Sequence, residues 1–204
     1  AFWSYEFTGL DSKNGYPTFS NASYEDPGGD GSVDPTTFLI YSGQSEPDFS
    51  GGFNTRIRWK GFNLGIDFAA NLGAKKRLPN PYATFTYGQM PDIYSNLSKE
   101  LNDRWKKPGD ITDIPRHGVY TELDSRLLED ASFLRLKNVM LSYSFPKTLL
   151  EKSKVFQGLR IYAQIQNPLT FTKFSGLDPE STSNVYQAQY PMARQYTFGL
   201  DITF

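Results

Sequence analysis

The sequence predicts an all-β chain whose antiparallel strands form part of a transmembrane β-barrel, and three observations carry that expectation. The first is alternation. In the closing stretch Tyr196, Phe198, Leu200, Ile202 and Phe204 fall on one face, and Thr197, Gly199, Asp201 and Thr203 on the other, because successive strand side chains point to opposite faces. The second is the rhythm of the connections, long and short in turn, as in a barrel with long outer loops and short inner turns. The third is the placing of aromatics: Trp59, Phe62, Tyr143, Phe145 and Phe204 fall at one level of the strands, the position of an interfacial girdle.

Composition agrees. The 204 residues include 13 Tyr, 16 Phe and 3 Trp, with no Cys and one His. Net charge is −1, and no basic stripe points to nucleic acid. The longest apolar runs fall far short of the roughly 20 residues that a membrane-spanning helix needs. A mean hydropathy of −0.51 is compatible with a barrel, where only alternate strand residues meet lipid and the outer loops are polar.

In chain order, the first strand is expected over 1–9, with Trp3, Tyr5 and Phe7 on one face and Ser4, Glu6 and Thr8 on the other. A loop rich in Gly, Pro, Asp and Ser follows, about 9–48 in extent, with a short strand near Phe38–Tyr41. Phe53, Thr55, Ile57 and Trp59 alternate with Asn54, Arg56 and Arg58 in the second strand. Lys60-Gly61 turns the chain into the third, where Phe62, Leu64, Ile66, Phe68 and Ala70 oppose Asn63, Gly65, Asp67 and Asn71. The segment 73–130 is too long for an ordinary connector, and Asp92–Trp105 within it is compatible with a short helix. The fourth strand spans 132–145. Leu134 and Leu136 share one parity there, while Val139, Leu141, Tyr143 and Phe145 share the other, so a β-bulge is expected near Lys137-Asn138. Pro146 ends it. The fifth strand, 159–165, sets Leu159, Ile161, Ala163 and Ile165 against Arg160, Tyr162 and Gln164. A third long loop, about 172–190, leads to the last strand.

These about six strands fall short of the roughly eight of small barrels, and open edges are costly in lipid. With Ala1 leading and no charged-then-apolar leader before it, the chain is expected to be the C-terminal part of a larger barrel whose upstream strands lie on another segment.

Five ordered motifs resemble one family. Gly9-Leu10-Asp11 through Gly15-Tyr16-Pro17, Pro47 through Gly51-Gly52-Phe53-Asn54-Thr55, and Asp130-Ala131-Ser132-Phe133-Leu134-Arg135-Leu136-Lys137-Asn138 are three of them. Gln166-Asn167-Pro168-Leu169-Thr170-Phe171-Thr172-Lys173-Phe174-Ser175-Gly176-Leu177-Asp178-Pro179-Glu180 and Tyr190-Pro191 through Tyr196-Thr197-Phe198-Gly199 complete the set. They are similar to those of the SusC/RagA-like TonB-dependent transporters of Bacteroidetes. Pro168 departs from the pattern, standing where an apolar residue is usual. The resemblance implies a barrel of roughly 22 strands with a plug, of which this chain would supply about the last six strands, the plug domain being absent from it. It further implies import of oligosaccharides or peptides across the bacterial outer membrane with a SusD-like lipoprotein lid, energised by the TonB complex through the missing part. A homodimer of the complex is a family expectation.

Enzyme chemistry is not expected. His117 is the single histidine, which excludes multi-histidine metal sites and leaves any triad hanging on one loop residue. Glu129-Asp130 are adjacent and diverge in a strand. Asp26, Asp30 and Asp34 resemble a calcium loop, but Gly28 and Thr37 occupy the third and twelfth places, where oxygen ligands are required. No cofactor or metal is expected. Within 73–130, Tyr82, Phe85, Tyr87, Trp105 and Tyr120 are candidate platforms for sugars or peptide side chains, with packing of the loop or the lid as the favoured alternative. Arg56, Arg58, Asp67, Arg160 and Gln164 are expected to face the lumen, against plug or solute. Thr197, Gly199, Ile202 and Phe204 resemble the C-terminal signal read by the barrel-assembly machinery. Two rivals stay open. A soluble glycan-binding β-sandwich would need no detergent, and a passive porin would lack plug and lid.

Overall fold

The computed structural model describes residues 1–20, 35–78, 99–119, 123–151, 155–181 and 190–204. Among them lie eleven strands: β1 (Phe2–Ser4), β2 (Phe7–Leu10), β3 (Pro17–Phe19), β4 (Ile40–Gly43), β5 (Phe49–Trp59), β6 (Phe62–Leu72), β7 (Lys75–Arg77), β8 (Leu128–Asp130), β9 (Phe133–Ser144), β10 (Gly158–Thr172) and β11 (Gln195–Thr203). One short helix, α1, spans Lys147–Leu150. The chain forms two units, one from Ala1–Ser45 and Lys75–Glu129, the other from Glu46–Ala74, Asp130–Thr182 and Ala188–Phe204. No helix among the described residues is long and apolar enough to cross a membrane.

The second unit holds the sheet β11-β10-β9-β6-β5, with every neighbouring pair antiparallel. Its β5–β6 hairpin turns on Lys60 and Gly61, both at positive φ (45° and 90°), the backbone that a two-residue turn needs to match strand twist. Register carries the sequence alternation across the sheet. Trp59 faces Phe62, Phe62 faces Tyr143, Leu64 faces Leu141 and Ile66 faces Val139. Beyond them Ile161 faces Leu200, Ala163 faces Phe198 and Ile165 faces Tyr196. One face is therefore apolar from edge to edge, with Phe53, Ile57, Leu141, Ile161, Phe198 and Leu200 all exposed. An open apolar surface of this extent is a liability in water and suits lipid.

The bulge expected near Lys137-Asn138 lies at Lys137. Asn138 opposes Asp67 and Leu136 opposes Phe68, so Lys137 drops out of the ladder. On the other side of β9, Asn138 opposes Gln166 and Leu136 opposes Leu169. Asn167 (φ 50°) and Pro168 therefore bulge beside it. A proline has no N–H to give a ladder, and a bulge is where a strand tolerates one. The strand expected over 159–165 consequently runs on to Thr172. By skipping Lys137 the bulge keeps Leu134 and Leu136 on the same face as Leu141, which a straight strand would not do.

At the turn end of this sheet the aromatic rings gather. Phe62 and Tyr143 lie 4.5 Å apart and Tyr143 and Phe145 5.0 Å. Phe204 meets Phe156 at 5.7 Å, a member that alternation alone did not suggest.

The first unit corrects one expectation. Residues 1–9 do not make one strand and do not join the large sheet. Phe2–Ser4 pairs with β4 and Phe7–Leu10 with β3. Between them the Tyr5 amide donates to Leu123 O at 2.8 Å and Tyr5 O accepts from the Ser125 amide at 3.1 Å. These bonds take up the groups that a continuous strand would have offered its neighbour. Tyr5, Phe19, Leu101, Trp105, Val119 and Leu127 are buried in this unit. Of the helix expected over Asp92–Trp105, the described part holds a 3-10 turn at Lys99–Asp103, and the rest lies outside the described residues.

Candidate functional site

The face of the large sheet opposite the apolar one carries its chemistry. Asn138, on the central strand, joins its neighbours through its amide: Nδ2 donates to Asp67 Oδ2 at 3.0 Å, and Oδ1 accepts from Gln164 Nε2 at 2.8 Å. One amide thus satisfies side chains on three strands. Arg56, Arg58, Asp67, Arg160 and Gln164, the five singled out from sequence, all share this face. They divide into two groups. Asp67, opposite Asn138, and Gln164, one pair along, are both hydrogen-bonded to it, while Arg56, Arg58 and Arg160 line a concavity of about 410 Å³ toward the turn end.

On the last two strands Tyr162 stands opposite Gly199. A Cβ at Gly199 would sit 2.1–2.3 Å from the outer ring atoms of Tyr162, so the ring lies across the glycine, a pairing that pins register between strands. Arg160 flanks it, 5.5 Å over the same ring and 3.4 Å from Asp201. Thr197 opposes Gln164 and Ile202 opposes Leu159, which places Thr197 and Gly199 on the polar face and Ile202 on the apolar one.

At the other end of the sheet a charge cluster gathers that sequence reasoning had not assigned to a site. Arg135 is buried (2% exposed), with its guanidinium 2.5 Å from Asp178 and 3.1 Å from Glu180. Lys137, turned out of the ladder by the bulge, donates to both Glu180 oxygens at 2.7 Å. Asp178 also accepts from the amides of Glu180 (2.9 Å) and Met192 (3.2 Å). It therefore ties β9, its own turn and the segment leading into β11. Burial pushes the Asp178 carboxyl up, but the Arg135 hydrogen bond, the two amides and the Arg135 charge outweigh it and hold it below the usual carboxylate value. Beside the cluster lies a concavity of about 610 Å³ lined by Asn167, Thr170, Leu177, Met192 and Arg194 as well as Arg135 and Asp178.

Two sequence motifs some 40 residues apart thus close on one another, since both pairs span 43 residues. The signal was present in the sequence: Arg135 and Lys137 are cations in an otherwise apolar stretch. Asp130 and Ser132, of the same motif, serve the base of the 73–130 segment. Ser132 bonds Asp130 Oδ1 through its amide (2.9 Å), and its hydroxyl accepts from the Gly73 amide at 2.9 Å.

Of the candidate aromatic platforms, Tyr82, Phe85, Tyr87 and Tyr120 lie outside the described residues, as do Asp26, Gly28, Asp30 and Asp34. Trp105 is described and is 7% exposed, with its ring across Gly15. Here it packs the core of its unit, the alternative weighed for the whole group. No metal-binding cluster occurs among the described residues.

No family model matches the chain. It is 30% identical across its whole length to TonB-dependent receptor P3 of Formosa agariphila. It is also 29% identical over 89% of its length to TonB-dependent receptor SusC of Bacteroides thetaiotaomicron. Among solved structures it resembles the RagAB peptide transporter with a TM-score of 0.82, and the RagAB peptide importer in its open-open state with 0.80, each at 33% identity over the whole chain. The chain spans 22% of the length of P3 and of the matched RagAB chains, and 17% of SusC. In sequence and in fold this chain is SusC/RagA-like, matching a part of the TonB-dependent receptors of the Bacteroidetes outer membrane.

Proposed function

We propose that the chain supplies wall strands to a closed, plugged barrel of roughly 22 strands that imports oligosaccharides or peptides across the outer membrane. A SusD-like lipoprotein serves as its lid, and the TonB complex drives it through the remainder of the receptor. The observation that carries this proposal is the two-faced sheet. Its apolar face, bounded by aromatic rings at the turn end, suits lipid, and its hydrogen-bonded polar face suits an enclosed aqueous lumen. Solute contact is assigned to the aromatic-rich stretch with Tyr82, Phe85, Tyr87 and Tyr120, and Trp105 to packing.

The test is uptake by cells expressing the whole receptor with its lipoprotein, offered labelled oligosaccharides and labelled peptides. Uptake of one class that collapses when the proton gradient is dissipated is expected. Uptake that persists without the gradient would favour a passive porin, and a receptor recovered without detergent would favour a soluble sandwich.

Thr197, Gly199, Ile202 and Phe204 are assigned to assembly. Phe204→Asp puts a charge among interfacial aromatics and is expected to lower the amount of receptor in the outer membrane several-fold, measured by immunoblot of membrane fractions. Gly199→Val, which forces Tyr162 aside, is expected to act in the same direction. Wild-type amounts of both would sink the assignment.

A further inference from the structure

We propose that the concavity beside the Arg135–Asp178 cluster is a binding site for a carboxylate of the imported solute, held by Arg194 and by the unsatisfied edge of Arg135. The inference rests on the import function proposed above and names a chemical feature of what is imported.

Charge accounting isolates one cation. Arg135 and Lys137 are matched by Asp178 and Glu180, and those two carboxylates are already well supplied with donors. Asp178 accepts from Arg135 and the Glu180 amide at Oδ1 and from the Met192 amide at Oδ2. Glu180 takes Lys137 at both oxygens and Arg135 at one. Arg194 lines the same concavity and has no ion pair or hydrogen bond among the described residues. It is the surplus positive charge there.

A second observation is independent of that charge. Arg135 is 2% exposed, with Nη2 serving Asp178 and Nη1 serving Glu180. Its Nε has no hydrogen-bond partner. A buried N–H left unpaired is an exception that calls for an acceptor. Arg135, Arg194 and the Thr170 hydroxyl lie in one lining, a donor set suited to an ionised carboxylate, which only accepts and does so at both oxygens.

The backbone around Arg194 is held in place by the sheet. The Met192 amide donates to Asp178 at 3.2 Å, and Ala193 O accepts from Asn167 Nδ2 at 3.3 Å. Such preorganisation lowers the ordering cost of binding. The volume of about 610 Å³ suits a solute-sized group, and Leu177 and Met192, 57% and 48% exposed, offer apolar surface to its carbon skeleton. No aromatic ring lines the concavity among the described residues, so there is no platform for a sugar face. A peptide carboxylate therefore fits better than a uronic acid. Thr170 and Thr172 place the site at the end of β10 remote from the Lys60-Gly61 turn, where the long segments leave the sheet and a solute would enter.

The test is isothermal titration of the whole receptor, purified in detergent with its lipoprotein, against two matched pairs of probes. One pair is tetraalanine and its C-terminal amide, the other trigalacturonic acid and its methyl ester. Tetraalanine is expected to bind roughly tenfold or more tightly than its amide, as for a hydrogen bond to a charged group. Arg194→Gln is expected to bring the two to equal affinity. Because Arg194 is exposed and unpaired among the described residues, the variant should assemble normally, which an immunoblot of membrane fractions checks. A preference for trigalacturonic acid over its ester, lost in Arg194→Gln, would uphold the carboxylate site with a sugar as its source. Equal binding within both pairs, no binding of either acid, or a preference that survives Arg194→Gln would overturn it. The uptake assay fails separately. Gradient-driven uptake without an acid preference removes the site and leaves the importer, whereas an acid preference without gradient-driven uptake keeps the site and removes the importer.

Discussion

Arg135→Ala is expected to cost the folded sheet unit about 3–5 kcal/mol, the range for removing one partner of a buried ion pair. The guanidinium is almost wholly enclosed, and its loss leaves Asp178, 6% exposed, with a buried charge and only two amide donors. Glu180 keeps Lys137 and suffers less. Hydrogen exchange at the Met192 and Glu180 amides is the direct measurement, since Asp178 accepts from both. Exchange as slow as in wild type would refute the expectation. Arg135→Met combined with Asp178→Leu should cost much less than either single change, because no orphaned charge remains.

The same cluster sets a pH dependence whose sign follows from its geometry. The Asp178 carboxyl is held below its usual value of 3.8 in the folded protein. Its stabilisation is therefore complete above that value and lost as pH falls through the lower folded value. Protection at Met192, taken relative to the intrinsic exchange rate at each pH, should be insensitive to this group from neutral pH down to about 4.5 and should fall below the normal carboxylate range. Arg135→Ala should move the onset upward.

Gly15→Ala is expected to destabilise the other unit by about 2–4 kcal/mol, combining a left-handed backbone with an overpacked core. Gly15 has φ +72°, and an added Cβ would lie 2.5 Å from two carbons of the buried Trp105 ring. The loop around it has little room to yield. The Gly15 amide donates to Asp11 O at 2.8 Å, and Gly15 O accepts from the Arg116 amide at 3.1 Å. Thermal unfolding followed by hydrogen exchange over residues 99–119 would report the loss. Adding Trp105→Leu should recover the packing part and leave the backbone part, so the double-mutant cycle separates the two. No recovery would mean that the ring is not what the new methyl meets.

The large sheet was legible because strands that pair antiparallel across a two-faced sheet must alternate in phase, and β5, β6, β9, β10 and β11 do. Even the break in phase at Lys137 was visible, since a bulge is the simplest way to keep Leu134 and Leu141 on one face. What alternation does not encode is the identity of the neighbour. Trp3, Tyr5 and Phe7 alternate as well as any lipid-facing run, yet Ser4 is fully buried and the chain breaks at Tyr5 to bond residues 123 and 125. The fifth strand, expected only over 159–165, runs on to Thr172 because Pro168 sits in a bulge, where its missing N–H costs the ladder nothing. The polar face was found residue by residue, but the Arg135–Asp178 contact depends on two segments meeting in space, and spacing along the chain does not reveal that.

The base of the segment between β6 and β9 has a consequence for how such receptors diversify. Asn71 faces Phe133, the Ala131 amide donates to Ala74 O at 2.8 Å, and Ser132 receives the Gly73 amide at 2.9 Å. The two ends of the segment are thus joined by hydrogen bonds of the sheet unit itself. Closing a flexible loop of twice the length adds only about 0.6 kcal/mol. Lengthening a flexible stretch within this segment therefore costs the sheet little, provided Leu101, Trp105, Val119 and Leu127 keep their buried places, while at the opposite end Lys60-Gly61 makes a two-residue turn whose positive φ values an inserted residue would disturb. Variation between paralogues is therefore expected to accumulate on one rim only, and a library meant to change what the receptor accepts should be built there.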